Sequence, residues 1–362
     1  MTALDTHSRT AFDEKAAEVF AGRVATILDD GAIAVMMALG HRAGLFAAMA
    51  DAPPSTSSAI AERAGLAERY VREWLAAMTV GRIVTYDLQA GTYTLPAEHA
   101  ACLVDGAPLG NFAIYAQHVA LLGAVQDRVL RCLRTGEGTA YGDYPCFHQI
   151  MAEDSAQTVG GALFDAVLPL AEGLVDRLEQ GIDVLDAGCG RGGVLIALAE
   201  RFPRSRFVGY DLGSDAIAFA RERAEAAGLG NVRFEARDLT GFEEPGSFDL
   251  VTSFDAVHDQ KDPEGLVRGI RASLRPGGVY LMQDIGGSAR LENNLDFPMA
   301  AMLYAISCAH CTPISIGQGG PGLGTMWGWE TAQAMLERAG FAAVERHVLP
   351  HDPMNVWFVA RT

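Results

Sequence analysis

The stretch from Ile182 to Gly193 leaves this chain few folds to adopt. Ile182-Asp183-Val184-Leu185 lead into Asp186, glycines fall at 188, 190, 192 and 193, and Val194-Leu195-Ile196-Ala197-Leu198-Ala199 follow. That order reads as a buried strand, a tight turn and a helix N-terminus in direct succession. Glycines in such a turn admit left-handed backbone and let a ligand lie almost on the main chain. The helix start offers free N–H groups to an anionic or polar ligand. Dinucleotide-binding folds use nearly the same device, so the turn alone leaves an NAD enzyme open.

The residues downstream separate the two. A second strand, Arg206–Tyr210, ends in Asp211, about 20 residues past the turn, where a ribose-binding acid sits in such folds. A third, Val232–Ala236, is followed by Asp238-Leu239. A fourth, Phe248–Phe254, ends at Asp255-Ala256-Val257-His258-Asp259. A fifth, Gly278–Asp284, follows the turn Arg275-Pro276-Gly277-Gly278. Taken as D-x-G-x-G, a strand-closing acid, R-D-L, F-D-L-V and L-R-P-G-G, the series resembles the class I S-adenosylmethionine-dependent methyltransferases over about half of the chain. The fold this implies is α/β, a Rossmann-like seven-stranded sheet with one antiparallel edge strand, completed by a helix over 327–339 and strands over 341–347 and 355–360.

The resemblance implies S-adenosylmethionine as cofactor and assigns its binding residues. Gly188 and Gly190 let the chain approach the amino-acid portion. Asp211 accepts both ribose hydroxyls, as a carboxylate with two oxygens does well, although Leu212-Gly213-Ser214 after it also suits a helix cap. Asp238 accepts from the adenine amino group, Leu212 and Leu239 flank the ring, and Ser253 and Phe254 close the fourth strand beside the donor. Asp186 is expected to brace the turn. Phe147 and Met151, in Tyr144–Met151, are expected over the donor pocket or, equally, in ordinary core.

His258-Asp259 falls at the carboxyl edge of the sheet, where open α/β folds place their ligands. In the resembled small-molecule O-methyltransferases the matching His is the general base, a task suited to a pKa near neutral. The bland alternative is that His258 caps a loop. An insertion from Gly286 to Gly328 carries Asn294, Met299, Tyr304, Cys308, His310 and Cys311, and acceptor selectivity is expected from Asn294, Met299 and Tyr304. An adjacent His-Asp with a distant His also resembles the α-keto acid C-methyltransferases. That likeness implies a metal, iron or zinc, held by His258, Asp259 and His310, acting as a Lewis acid on a chelated acceptor. For His310, metal ligation, acceptor hydrogen bonding and core packing stay open. Cys308-x-x-Cys311 lacks a second Cys pair, which disfavours a structural zinc site.

Ahead of this lie a helical stretch over 11–50, apolar nearly all round from Gly31 to Leu45, a helix over 59–64 capped by the Ser55–Ser58 run, a helix over 68–79 and a hairpin over 82–95. Helix, turn, helix and hairpin make a winged helix. It resembles the dimerising N-terminal domain of the small-molecule O-methyltransferases, which implies a homodimer. The division expected is 1–105 winged helix, 106–178 helical connection contributing to the active site, and 179–362 methyltransferase domain. A transcription regulator is the rival. Its would-be recognition helix carries Glu68, Arg69, Arg72 and Glu73 in balance, and the whole chain has a formal charge of −17, which opposes loose association with nucleic acid or anionic membrane. A polar N-terminal stretch, no apolar run judged long enough for a span, and six irregularly placed cysteines point to a cytoplasmic protein without a signal peptide.

Overall fold

The structure, a computed structural model, describes residues 12–362, so most of the polar N-terminal stretch lies outside the described residues. Two compact units divide between Ala120 and Leu121, so the segment expected to connect the domains is shared between them.

In the first unit, one long helix, Glu14–Arg42, is capped by the Asp13 side chain on the Ala16 amide. Helices Ser57–Ala64 and Glu68–Val80 and the antiparallel pair β1 (Thr85–Asp87) and β2 (Thr92–Thr94) complete the winged helix. Thr56 caps the Ser57–Ala64 helix, and Gly65 ends it in the left-handed region. Phe46, Ile60, Trp74, Leu75 and Met78 form the core, with the Phe46 and Trp74 rings edge to face at 5.2 Å. The long helix is buried only in part. Its C-terminal third meets Trp74, whose indole donates to the Met36 carbonyl at 2.8 Å, while Phe20, Leu28 and Leu39 stand exposed.

The second unit is built on a sheet of β3 (Asp183–Ala187), β4 (Arg206–Asp211), β5 (Val232–Ala236), β6 (Phe248–Phe254), β7 (Leu274–Ile285), β8 (Ala343–Leu349) and β9 (Asp352–Arg361), in the order β5-β4-β3-β6-β7-β9-β8. The sheet is the Rossmann-like one expected, with one correction. The antiparallel strand is β9, which lies between β7 and β8 and pairs antiparallel with both, so the outermost strand runs with the rest. A short β8–β9 hairpin explains this, since a tight turn can join only antiparallel neighbours. Central strands are buried on both faces, by Val184, Leu250, Leu281 and Trp357 on one side and Leu185, Val251, Tyr280 and Phe358 on the other, as their apolar runs require. Strand order reverses between β3 and β6, the place where such sheets open a crevice at their carboxyl ends.

The helical stretch Ala300–Gly317 is long and apolar enough to pass a membrane-span test. It contains a π-helical turn, Ser307–Cys311, and Pro313, and buries His310, Cys311, Ile314 and Ser315, about a third of its residues being buried.

Candidate active site

A cavity of about 300 Å³ opens at the strand-order reversal. Its floor is the glycine turn. Gly188 and Gly190 take φ of 87° and 51°, which lets the Gly188 and Cys189 amides both donate to the Tyr210 carbonyl, at 2.8 and 3.1 Å. A Cβ at Gly188 would collide with the Ala256 side chain, so only glycine fits there. Asp211 closes β4, and its carboxylate accepts from the Gly190 amide at 2.8 Å and the Gly213 amide at 2.7 Å. Asp211 therefore fixes the turn, the bracing role expected of Asp186, and each of its oxygens keeps a further lone pair for a ligand.

Asp186 is buried in the cavity wall, accepting from the Thr252 hydroxyl at 2.8 Å. Burial pushes its carboxyl up to about 7, the Thr252 hydrogen bond opposing and Asp211 adding to the rise. Asp238 also lines the cavity and is held below the usual carboxylate range, chiefly by the Thr240 amide and hydroxyl. Gly188, Gly190, Asp211, Leu212, Leu239 and Phe254 lie on the same lining, and Phe147 and Met151 reach it from the helix Phe147–Thr158. Ser253 does not. Side chains alternate along a strand, so the residue before Phe254 points away, and its hydroxyl pairs with that of Tyr280 at 2.6 Å.

At the other end of the cavity stands Asp259, reached by the Tyr141 hydroxyl at 3.4 Å. His258 lies just behind this wall, fully buried, with Nε2 3.5 Å from Asp259 Oδ1. Its Nδ1 meets both oxygens of Asp284, at 2.8 and 3.1 Å, and Asp284 is itself fixed by the Trp327 indole at 3.0 Å and the Ile285 amide at 2.8 Å. Burial opposes charge on the imidazole, but Asp284 and Asp259 outweigh it and raise the His258 pKa well above its ordinary value.

His310 is also brought here, on the π-helical turn, with Nδ1 4.0 Å from Asp259 Oδ2 and 3.5 Å from Cys311 Sγ. Its ring stacks on Phe147 at 4.0 Å. Among the described residues, the side chains whose ligand atoms lie within 4.8 Å of one another are His258, Asp259 and Cys311, so Cys311 takes the place expected of His310. Burial pushes the Cys311 thiol up to about 11. Of these three only Asp259 lines the cavity, whereas a metal that chelates an acceptor must turn its open positions toward it. The set does not fit an acceptor-binding metal.

Three expected acceptor residues lie off the cavity. The Asn294 side chain clasps the Ser288 backbone, accepting from its amide and donating to its carbonyl, and donates to the Tyr304 hydroxyl at 2.9 Å. Met299, at φ 52°, starts the helix Ala300–Ile306. They shape the insertion itself. Asp284 and Trp327 were missed. An acid closing β7, as Asp211 closes β4, was the available signal for the first. Nothing in the sequence ties Trp327 to an aspartate 43 residues away.

Residues 178–340 match the family model described as a methyltransferase domain, and residues 31–105 match the Rv2258c-like winged HTH domain. The chain thus carries a winged-helix domain followed by a methyltransferase domain. Among curated proteins it is similar to a fatty-acid O-methyltransferase of Mycolicibacterium smegmatis, 36% identical over 105 residues, and to phosphoethanolamine N-methyltransferase 1 of Arabidopsis thaliana, 41% over 109 residues. These matches take in 29% and 30% of this chain and span only 38% and 22% of the relatives' own lengths. Human N-acetylserotonin methyltransferase, solved in complex with SAM, superposes with a TM-score of 0.67 at 15% identity, covering 98% of this chain and 99% of that one. The mitomycin 7-O-methyltransferase superposes at 0.66 with 18% identity, covering 97% and 100%. At such identities the likeness is one of fold.

Proposed function

We propose that the protein transfers the methyl group of S-adenosylmethionine to an oxygen of a small molecule, with His258 and Asp259 receiving the acceptor proton. One observation carries this reading: the line Asp284–His258–Asp259 ends on the wall of the same cavity whose floor is the glycine turn and Asp211. Asp284 holds the imidazole in one orientation through Nδ1, so Nε2 faces Asp259 and, through it, the cavity. The acceptor oxygen attacks the methyl carbon as the S–CH₃ bond breaks, its electrons return to sulfur, and the acceptor proton passes to the His258–Asp259 pair. Positioning supplies most of the rate gain in such a transfer. Calorimetry with S-adenosylmethionine, followed by assay of S-adenosylhomocysteine release over a panel of hydroxyl and carboxyl compounds, tests it. No binding of the donor would end this reading.

The relatives include O- and N-methyltransferases, which supports the reaction type without fixing the acceptor. A metal-dependent C-methylation of an α-keto acid has the His258–Asp259–Cys311 proximity in its favour. Against it stand the burial of His258 and Cys311 behind the wall, with Asp259 alone on the cavity lining, and the place of His310 outside the trio. The regulator reading is opposed by the Glu68–Val80 helix, where Arg72 pairs with Glu68 and Arg69 with Glu73, leaving those two arginines engaged by acids rather than by phosphates. The exposed Phe20, Leu28 and Leu39 of the long helix suit a homodimer through the first unit. Six free cysteines suit a cytoplasmic setting.

A further inference from the structure

We propose that Asp255 binds the α-ammonium group of the sulfonium donor, an assignment that rests on the donor reading above. Asp255 follows the last residue of β6 and lines the cavity. Its backbone sits at φ 49°, a left-handed conformation that aspartate tolerates better than most residues. Its amide donates to the Gln283 carbonyl at 3.1 Å, and its Oδ2 accepts from the Gln283 side-chain amide at 3.0 Å. Its Oδ1 is buried and has no hydrogen-bond partner among the described residues. A buried carboxylate with one oxygen left unsatisfied in a low-dielectric wall is a poor device for stability.

The groups around it specify what is missing. Burial and then the Asp284 carboxylate push the Asp255 pKa up, His258 and the Gln283 amide pull it down, and Asp154 adds to the rise. A partner that both donates a hydrogen bond to Oδ1 and carries positive charge would satisfy the oxygen and restore the carboxylate's charge together. In S-adenosylmethionine the sulfonium is cationic but donates no hydrogen bond, so the α-ammonium is the group that meets both needs. Position agrees. Ala256, the next residue, packs against Gly188 so closely that no Cβ fits there, and Asp255 shares the cavity lining with both. An amine on the acceptor offers the same chemistry, and the test separates the two sources.

The test is calorimetry of the full chain and of Asp255→Asn and Asp255→Gly with S-adenosylhomocysteine and with 5′-methylthioadenosine, which shares the nucleoside and thioether but has no amino-acid end. Both variants should weaken S-adenosylhomocysteine about ten- to hundredfold, the range of a lost charge-assisted hydrogen bond, and leave 5′-methylthioadenosine unchanged. Asparagine tolerates left-handed backbone and keeps an acceptor for Gln283, so the ligand-free Tm of Asp255→Asn should not fall. Equal loss of both ligands would overturn the assignment by showing general damage. Unchanged S-adenosylhomocysteine affinity with a raised KM for an amine acceptor would overturn it in favour of the acceptor. If the parent protein binds neither nucleoside, the donor reading itself has failed and this assignment falls with it, before any variant is made.

Discussion

The two ends of the cavity are built by different means. The donor end is made of main chain and of residues close in sequence: amides of Gly188, Cys189, Gly190 and Gly213 tied to the Tyr210 carbonyl and the Asp211 carboxylate. The other end presents Tyr141 and Asp259 to the cavity, backed by side chains from separate segments, His258, Asp284, His310-Cys311 and Trp327, tied to one another. Backbone geometry of the first kind tolerates substitution everywhere except at its glycines and its acid. A side-chain network of the second kind depends on every member, because a buried carboxylate stripped of its partner is costly. On the proposed function, the first end would hold the cofactor and the second would meet the acceptor.

If the division is real, the two ends should fail separately. The largest effect is expected at the acceptor end. His258→Ala should lower turnover by about 10²–10⁴-fold, the usual yield of a positioned acid or base, with donor affinity unchanged by calorimetry. Asp284→Asn should follow it more weakly, since the amide still meets Nδ1 but no longer stabilises the imidazolium. A parallel fall in donor affinity would erase the distinction between the ends. At the donor end, Asp211→Ala should weaken S-adenosylhomocysteine by about tenfold or more and lower the ligand-free Tm, because the Gly190 and Gly213 amides lose their acceptor together. Asp211→Asn should recover part of the Tm and little of the affinity.

That contrast also governs what could be read in advance. That the turn, Asp211, Asp238, Leu212 and Leu239 share one cavity lining was legible because strand, turn and helix signals are local, and each of these residues follows or closes a recognisable strand. The succession of strands along the chain followed from the same series. The position of β9 inside the edge did not, because a hairpin's place in a sheet depends on pairing across the whole unit. Ser253 failed by one residue, the step that turns a side chain to the opposite face. Asn294, Met299 and Tyr304 failed for a different reason. They sit in an insertion, and the Asn294–Ser288 clasp that fixes it has no sequence signature. His310 was placed near its expected neighbours, yet the π-helical turn presents Cys311 beside it, and π turns cannot be read from apolar periodicity.

A pH series sharpens the comparison, since the ends should respond at different values. Asp186 is held at about 7 by burial, with Asp211 adding to the rise, above the ~3.9 of a free aspartate. Between about pH 4 and 7 the native state then keeps a proton that the unfolded chain has lost, so ligand-free stability should fall as pH climbs through that window. Binding of the cationic donor favours the ionised carboxylate, so affinity should rise over the upper part of the same window. Asp186→Asn should flatten both trends relative to the parent. His258 has the opposite sign of charge and a pKa raised well above its ordinary value, so turnover at saturating donor should keep rising with pH beyond the point where donor affinity has levelled. A single shared inflection, unmoved by Asp186→Asn, would mean that the two ends titrate as one site.

The smallest expected effect bears on how the acceptor end is held together. Cys311 lies within 4.8 Å of His258 and Asp259, and it accepts from the Thr325 hydroxyl at 3.0 Å. Read as part of a side-chain network, it is a packing residue with two weak hydrogen bonds, the second to His310 Nδ1 at 3.5 Å, and a serine hydroxyl can take the place of the thiol in both. Cys311→Ser should therefore change turnover by no more than about threefold, a cost within the range of a modest core substitution, and a chelator should leave turnover intact in parent and variant alike. Read as a ligand, the same change would remove a thiolate from a three-residue set and weaken metal retention by orders of magnitude. Loss of activity on chelation, restored by one metal in the parent but not in Cys311→Ser, would show that the acceptor end is organised around an ion. The contrast between a main-chain end and a side-chain end would then become one between a nucleotide cradle and a metal centre.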